Sequence, residues 1–376
     1  MAELFKHVFN PDMVKSVGQH LHTHCATFDV NGFEQAVCNK LEQLEFKQRS
    51  QLICEALIAH LPDDFEYTAQ VLLKSLGLPL RLNASQLTTD AHGISGWAIL
   101  PLADYVAFKG RGHFVLAMTL LKEMTKRCTS EFAIRPFLKD MPEQTLAILH
   151  QWAEDEDPHV RRLASEGARP RLPWGMRLQR FVEDPSDLIP LLEKLKDDDS
   201  EYVRRSVANN LNDIAKDHPD TVTAVAKNWL KGASKNRRKL VQHGCRTLVK
   251  NGHLDTLQAL GYMSPEAIIC TVTVSDRQLI YGGSIDVRLK ITNESAAAQH
   301  VMIDYRVHHQ KANGTTSAKV FKWRSIYLKG KDSITLKKKH SIRPITTRVY
   351  YPGVHKIDVQ INGVVKGSTQ FDLIMP

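Results

Sequence analysis

The 376-residue sequence lacks the features that mark membrane, secreted and metal-binding proteins. Its longest convincing apolar run, residues 114–121, is too short to cross a bilayer. Lys6, Asp12 and Lys15 interrupt the N-terminus, where a secretory signal needs an apolar core. The six cysteines form no C-x-x-C pair, and the seventeen histidines have no partner at a zinc-like interval. We therefore predict a cytoplasmic protein that has no disulfides, metal or other cofactor and does not bind membranes.

A short pattern occurs twice in the middle of the chain. Residues 157–169 have the sequence D-P-H-V-R-R-L-A-S-E-G-A-R, and residues 199–213 have D-S-E-Y-V-R-R-S-V-A-N-N-L-N-D. The shared V-R-R begins at Val160 and again 43 residues later at Val203. Helical-pair repeats of the HEAT kind have this period, and each repeat buries its apolar face against its neighbours. The pattern predicts an α-solenoid of HEAT-like helical repeats.

Three acidic residues occupy related positions in the repeats. S-E-F-A-I-R-P-F-L at residues 130–138 resembles S-E-G-A-R-P-R-L at residues 165–172, so Glu131 and Glu166 are equivalent. Asp213 lies in the second V-R-R copy, four residues after Asn209, on the same helical face. Stacked repeats would bring Glu131, Glu166 and Asp213 onto one surface.

The periodicity of the sequence changes after about residue 265. Ile285, Val287, Leu289 and Ile291 alternate with polar residues, as in a half-buried strand, and turn dipeptides such as Asn362-Gly363 separate similar segments. We predict seven or eight antiparallel strands in an immunoglobulin-like β-sandwich. The predicted domains are therefore residues 1–264, the helical repeats, and residues 265–376, the sandwich.

The positive charge lies in the predicted sandwich. Residues 265–376 contain 17 Lys and Arg but only 8 Asp and Glu, which accounts for the whole formal net charge of +9. A basic module attached to a neutral body indicates a polyanionic partner. A lysine-rich surface that protects edge strands and aids solubility is an equally open explanation.

The three acids could serve structure or chemistry. Carboxylates on an inward helical face are costly unless they are paired, and one explanation is an inter-repeat ladder with Arg135, Arg162, Arg169 and Arg205. However, residues 161–180 contain six arginines and one acid, and residues 235–250 contain six Lys and Arg and no acid. Such a surface suits phosphate groups. Acids kept within it indicate a positively charged target.

An alkylated nucleobase is such a target. Methylation at a ring nitrogen makes adenine or cytosine cationic, and its departure leaves a cationic, oxocarbenium-like sugar. Carboxylates can stabilise both species and activate the attacking water, as paired acids do in glycoside hydrolysis, without a metal. Trp174, in R-P-R-L-P-W-G, could stack on a base or simply pack between repeats.

Three motifs resemble the AlkC branch of the AlkC/AlkD DNA alkylation-repair glycosylases: S-E-F-A-I-R-P-F-L, V-R-R-L-A-S-E-G-A-R-P-R-L-P-W-G and V-R-R-S-V-A-N-N-L-N-D-I-A-K. The resemblance covers the helical body and, more loosely, the β region. It implies a glycosylase that releases 3-methyladenine and 3-methylcytosine from double-stranded DNA while the lesion stays in the duplex. We predict that the protein is a monomer with no obligate protein partner. The resemblance also implies that Glu131, Glu166 and Asp213 are the catalytic carboxylates and that Trp174 contacts the substrate.

The predicted DNA contacts are basic residues. The resemblance implies such a role for Arg162, Arg169 and Arg171, and the basic surface extends the predicted set to Arg205, Lys235, Arg237 and Arg238. The β-sandwich would close over DNA with Lys319 to Arg324 and Lys337 to Lys339, unless these lysines only guard strand edges.

Two other functions stay open on the sequence alone. A non-catalytic HEAT-repeat scaffold that binds nucleic acid or protein would use the acids as ladder partners. A nuclease is disfavoured because the acids lack a recognisable metal-site spacing. The relative activity on 3-methyladenine, 3-methylcytosine and 7-methylguanine, and the acid that activates water, are not predictable from these motifs.

Overall fold

The computed structural model describes residues 5–80 and 88–375, which begin with α-helices and end with β-strands. Short 3₁₀ turns at Gly96–Ala98 and Gly110–Gly112 flank the fifth helix. The helices are α1 (Pro11–His24), α2 (Val30–Leu41), α3 (Phe46–His60), α4 (Phe65–Ser75), α5 (Ile99–Lys109), α6 (Phe114–Thr125), α7 (Arg135–Asp140), α8 (Pro142–Trp152), α9 (Pro158–Gly167), α10 (Gln179–Glu183), α11 (Leu188–Leu195), α12 (Glu201–Ile214), α13 (Pro219–Trp229), α14 (Lys235–Gly244), α15 (Arg246–Asn251) and α16 (Leu254–Ala259).

The chain divides by its contacts into two compact units, Met1–Asp217 and His218–Pro376. The predicted domain boundary at residues 264 and 265 falls between the last helix and the first strand, and as a functional boundary it stays a prediction. Within the second unit, Gly252 and Gly363 explain part of this grouping. Both have a positive φ, and a Cβ on Gly363 would lie 2.7 Å from the Cα of Gly252. Only glycine permits helix α15 to approach the last strand turn this closely.

The two V-R-R copies form neighbouring helices, α9 and α12, which pack against each other. Asp157 caps α9 by accepting a hydrogen bond from the His159 backbone N–H (2.7 Å), and Pro158 follows at the first helical position. The Oγ atoms of Ser165 and Ser206 lie 2.5 Å apart between the helices. Small hydroxyl side chains at this contact let the helices approach closely.

The first arginine of each V-R-R plays the same role in both repeats. Arg161 donates to the carbonyl oxygens of residues 155 and 156, both at 2.8 Å. Arg204 donates to the carbonyl oxygens of residues 198 and 199. In both repeats the two acceptors lie six and five residues before the arginine. These bonds fix the turn that precedes each helix, so the repeated sequence produces a repeated local structure.

The β region consists of two sheets, as in a sandwich. The strands are β1 (Ile268–Val274), β2 (Gln278–Ile280), β3 (Ser284–Asn293), β4 (Gln299–Gln310), β5 (Thr316–Leu328), β6 (Ser333–Ser341), β7 (Gly353–Ile361) and β8 (Val364–Ile374). Their order is β1-β3-β6 in one sheet and β2-β8-β7-β4-β5 in the other. The alternation that predicted a strand at residues 285–291 is confirmed, because Ile285, Val287, Leu289 and Ile291 are buried in β3.

One pairing differs from the all-antiparallel prediction. The three-residue strand β2 pairs in parallel with β8, the last strand of the chain. A segment this short has no alternating pattern that could show its direction. No helix described above combines the length and apolar content needed to span a bilayer.

Candidate active site

The three predicted catalytic acids belong to one continuous chain of ion pairs in the first unit. Glu131 Oε2 accepts a hydrogen bond from Arg162 Nη1 (2.5 Å), and Arg162 Nη2 lies 3.5 Å from Glu166 Oε1. Arg169 donates to Glu166 Oε1 (2.7 Å) and, through Nε, to Asp213 Oδ2 (2.8 Å). The structure therefore brings these acids together, with an arginine between each neighbouring pair. We call these five residues the acid–arginine chain.

The repeat architecture determines this arrangement. Glu131 lies in the turn before α7, and Arg162 and Glu166 are four residues apart on one face of α9. Arg169 follows the C-terminus of α9, and Asp213 lies near the end of the neighbouring helix α12. Because α9 and α12 pack side by side, a guanidinium that follows one helix reaches a carboxylate on the other.

The chain is largely removed from water. Glu131, Glu166 and Asp213 are 9%, 5% and 1% exposed. Burial alone would lower the pKa of the Arg162 guanidinium, but Glu131 and Glu166 outweigh it and raise that pKa. Burial alone would also lower the pKa of Arg169. The hydrogen bond to Asp213 and the charge of Glu166 outweigh burial, and the pKa of Arg169 is raised. Both arginines are thus held in the charged form by the acids.

Three contacts around the chain were not predicted. Thr129 donates its hydroxyl to Glu131 Oε2 (2.8 Å). Lys216 donates to Asp213 Oδ1 (2.8 Å), and the guanidinium of Arg162 lies 5.1 Å from the centre of the Tyr202 ring. The spacings of Thr129 from Glu131 and of Lys216 from Asp213, two and three residues, were the only sequence signals for these contacts.

The ladder predicted as the structural alternative is only partly correct. Arg162 and Arg169 pair with the acids, whereas Arg205 pairs with Glu201 at 3.4 Å on the exposed surface. Arg135, which is fully buried, instead donates to the carbonyl oxygens of Gly167 (2.7 Å) and Met176 (2.8 Å). Its partners are backbone dipoles because it lies beneath the loop that carries Trp174.

Trp174 lies at the tip of that loop. Its side chain is 63% exposed, and its φ of 65° places it in the left-handed region, which non-glycine residues adopt only when their surroundings enforce it. Lys47 donates to its carbonyl oxygen, and the Gly175 N–H donates to Leu172 (3.2 Å). The indole is therefore held out toward solvent by a fixed backbone, as a stacking partner requires.

The residues predicted to bind DNA occupy different environments. Arg162 and Arg169 are members of the acid–arginine chain. Arg171 makes a bidentate ion pair with Asp217 (2.7 and 2.6 Å), and the Arg205 side chain is 65% exposed. Lys235, Arg237 and Arg238 lie in the first turn of α14, in the second unit. Their DNA contacts stay predictions.

The described residues contain no group of three His, Cys, Asp or Glu side chains placed to hold a metal ion. The acid–arginine chain itself offers three anionic side chains to a positive charge, beside basic groups that could face phosphates. Such an arrangement is suited to electrostatic and acid–base chemistry.

Comparison with known proteins places this site in context. A family model described as "DNA alkylation repair enzyme" matches residues 128–241, which include all three acids, and a model described as the C-terminal Ig-like domain of the uncharacterised protein YhaZ matches residues 269–375. The chain is 34% identical over 377 residues to the uncharacterised YhaZ of Bacillus subtilis (strain 168), covering 99% of this chain and 100% of that protein.

A solved structure is similar over nearly the whole chain. The alkylpurine DNA glycosylase AlkC of Pseudomonas fluorescens, bound to DNA containing an abasic site analog, is 33% identical with a TM-score of 0.85. The match covers 98% of this chain and 99% of that one. The predicted order of a helical-repeat region followed by an immunoglobulin-like domain is confirmed.

Proposed function

The chain belongs to the AlkC-like family of DNA alkylation repair proteins, and from this membership we propose that it is a monofunctional DNA glycosylase. The proposed reaction is hydrolysis of the N-glycosidic bond of a cationic N-alkylated base, 3-methyladenine or 3-methylcytosine, in double-stranded DNA. The observation that carries the proposal is the acid–arginine chain, which gathers three carboxylates in one largely buried array. The related AlkC structure, with DNA bound, supports it.

The hydrogen bonds distinguish the three acids. Both oxygens of Asp213 accept hydrogen bonds, from Arg169 and Lys216. Glu131 accepts through Oε2 and Glu166 through Oε1, and within the described residues their other oxygens accept none. Asp213 is therefore suited to electrostatic stabilisation, whereas the two glutamates each keep an oxygen for substrate or water.

The proposed reaction has two steps. The bond between C1′ and the base nitrogen breaks, and the base leaves with both bonding electrons, so the positive charge passes to the sugar. Water then adds to C1′ and loses a proton to a carboxylate. We propose that Glu131, Glu166 and Asp213 stabilise the cationic sugar as the bond breaks, and that Glu166, the middle acid of the chain, then takes the proton from the water.

Arg162 and Arg169 have a different proposed role from the DNA contact predicted for them. Their side chains are only 15% and 8% exposed, and each bridges two acids. We propose that they hold the carboxylates in place, because three unpaired acids at this spacing would repel one another. Phosphate contacts then fall to more exposed basic residues, such as Arg205.

The rival function is a non-catalytic scaffold. A fully paired row of charges between repeats is also what a static inter-repeat ladder would contain, and this observation favours the rival. The two functions differ in one product: only the glycosylase liberates a free base.

The test is base release from duplexes that carry a single 3-methyladenine or 3-methylcytosine, with chromatography of the small-molecule fraction. We expect free base and an intact strand that breaks at the abasic site only after alkali. Absence of free base at enzyme excess would support the scaffold. Strand cleavage without alkali would indicate a nuclease or lyase.

A further inference from the structure

A pocket of about 370 Å³ opens next to Trp174, within the first unit. Helix α3 contributes Phe46 and Lys47, helix α5 contributes Asp104, and Phe132 follows Glu131 of the acid–arginine chain. Its volume lies in the range of small-molecule sites, roughly 300–1,000 Å³. We call it the Trp174 pocket. The sequence motifs supply Trp174 and Phe132 to this pocket, but the proposed hydrolysis assigns the pocket no role.

The aromatic walls of the pocket are held in place before any ligand binds. The ring centres of Phe46 and Trp174 lie 6.1 Å apart at an angle of 46°. Phe46 stacks on Phe5 (4.8 Å) and meets the edge of Trp97 (5.4 Å). The Trp174 backbone is fixed by the bonds described above. A flat ring can therefore stack here at little cost in conformational entropy.

Asp104 is the only carboxylate among the residues that line the pocket. Burial raises its pKa to about 6, although the nearby Lys47 lowers it. A half-buried carboxylate gains from ligand N–H donors, since hydrogen bonds replace the water it has lost. Lys47, the only cation of the lining, donates to the Trp174 carbonyl oxygen. Ser50, Gln51 and Cys54 add neutral polar groups to the lining, so Asp104 is its one group with acceptor character only.

These features select one class of ligand. Adenine and cytosine carry an exocyclic amino group that donates hydrogen bonds, whereas guanine presents a carbonyl acceptor at the corresponding edge. A carboxylate in an aromatic-lined pocket accepts hydrogen bonds from the first two and repels the third. The N-alkylated base becomes neutral when it takes the bonding electrons of the glycosidic bond. The pocket therefore needs no second carboxylate beside Asp104 to balance a positive charge on the base.

We infer that the Trp174 pocket binds the released N-alkylated base, stacked on the Trp174 indole with its exocyclic amino group donated to Asp104. This inference rests on the proposed glycosylase function and adds a product site and a rule of selectivity. N-alkylated bases that carry the exocyclic amino group of adenine or cytosine bind more tightly than their counterparts with an oxygen at that position.

The test is calorimetric titration of the full-length protein with a matched pair of free bases, 3-methyladenine and 3-methylhypoxanthine, in which an oxygen replaces the amino group. We expect saturable binding of 3-methyladenine. The affinity for 3-methylhypoxanthine should be lower by about tenfold or more. Asp104→Asn should weaken 3-methyladenine binding about tenfold and remove the difference between the ligands. Quenching of tryptophan fluorescence by 3-methyladenine should disappear in Trp174→Phe.

Glu166→Gln serves as the matched control, because Glu166 does not line the pocket. It should bind free 3-methyladenine like the wild type. Equal affinity for the two bases, an unchanged Asp104→Asn affinity, or no binding would overturn the inference. Base release by the wild type is measured in parallel: release without free-base binding refutes the pocket alone, whereas no release refutes the proposed function.

Discussion

The two units of this protein bury different sets of polar groups. The first unit buries charge, with Glu131, Glu166 and Asp213 held by arginines in a continuous chain. The second buries imidazoles as well as acids: His309 and His340 are 4% and 6% exposed, with ring centres 6.2 Å apart, and Asp358, 4% exposed, pairs with Lys356 and His308. Its lysines lie instead on exposed strands such as β6.

This difference indicates which buried polar groups are candidates for a catalytic role. Burying ions costs several kcal/mol each, and a well-packed apolar cluster would often be as stable as a buried ion-pair array. Neutral imidazoles cost much less and fill space beside Tyr305 and Tyr350. We propose that the first unit keeps its five buried charges for a purpose other than stability. The proposed use is the stabilisation of a cationic sugar.

The largest expected effect comes from breaking the acid–arginine chain. Arg162 and Arg205 occupy the same position of the two V-R-R repeats, yet their side chains are 15% and 65% exposed. Arg162→Met should lower the free energy of unfolding by about 3–5 kcal/mol, because it leaves Glu131 and Glu166 without their shared cation. Arg205→Met should cost less than about 1 kcal/mol.

Denaturant unfolding followed by far-UV circular dichroism measures both variants. If both variants lost only a similarly small part of the free energy of unfolding, the stability of the first unit would not depend on buried charge. The contrast between the two units would then fail.

Lowering the pH should have the second-largest effect, and it should destabilise the second unit. Burial, together with His355 and Lys319, lowers the pKa of His340 to about 4. In the unfolded chain it is about 6.5, so between these values the unfolded state binds more protons. Stability is therefore complete above about pH 6.5 and falls as the pH drops toward 4, by about 3 kcal/mol from this group.

Hydrogen exchange of the β6 amides between pH 7 and 4.5 would detect this loss, because β6 carries His340. His340→Gln should flatten the pH dependence. A wild-type β6 whose protection does not change with pH would show that the buried imidazole already carries its proton.

The smallest effect concerns the charges on the outside of the sandwich. Replacing Lys337, Lys338 and Lys339 by glutamine should weaken DNA binding modestly and reduce the salt slope by about one for each lysine that contacts a phosphate. The triple arginine variant keeps the charge and should keep the slope. Binding isotherms between 50 and 200 mM salt measure it, and an unchanged slope would assign these lysines to edge protection.

Much of the fold was predictable because it follows from local periodicity. The V-R-R repeat predicted neighbouring helices, and the alternation at residues 285–291 predicted β3. The parallel partner of β2 was not predictable, because pairing a three-residue strand with the last strand depends on the closed sheet.

The candidate site was predictable in its acids but not in its partners. The second arginine of both repeats looks alike in sequence, yet the two have different partners. Arg162 lies near Glu166, four residues after it, whereas the second copy has Asn209 at that position and Arg205 pairs with Glu201, four residues before it. Asp104 gave no signal, because a single acid in an apolar helix shows neither its pocket nor its neighbours.

The central claim is that the three carboxylates of the acid–arginine chain speed cleavage of the glycosidic bond by stabilising the cationic sugar. Single-turnover release of 3-methyladenine from a defined duplex tests it most directly. Glu166→Gln should slow release about a hundredfold or more while binding the duplex within about twofold of the wild type, and the exposed-acid control Glu201→Gln should change neither. A Glu166→Gln protein that releases base at the wild-type rate would contradict the account.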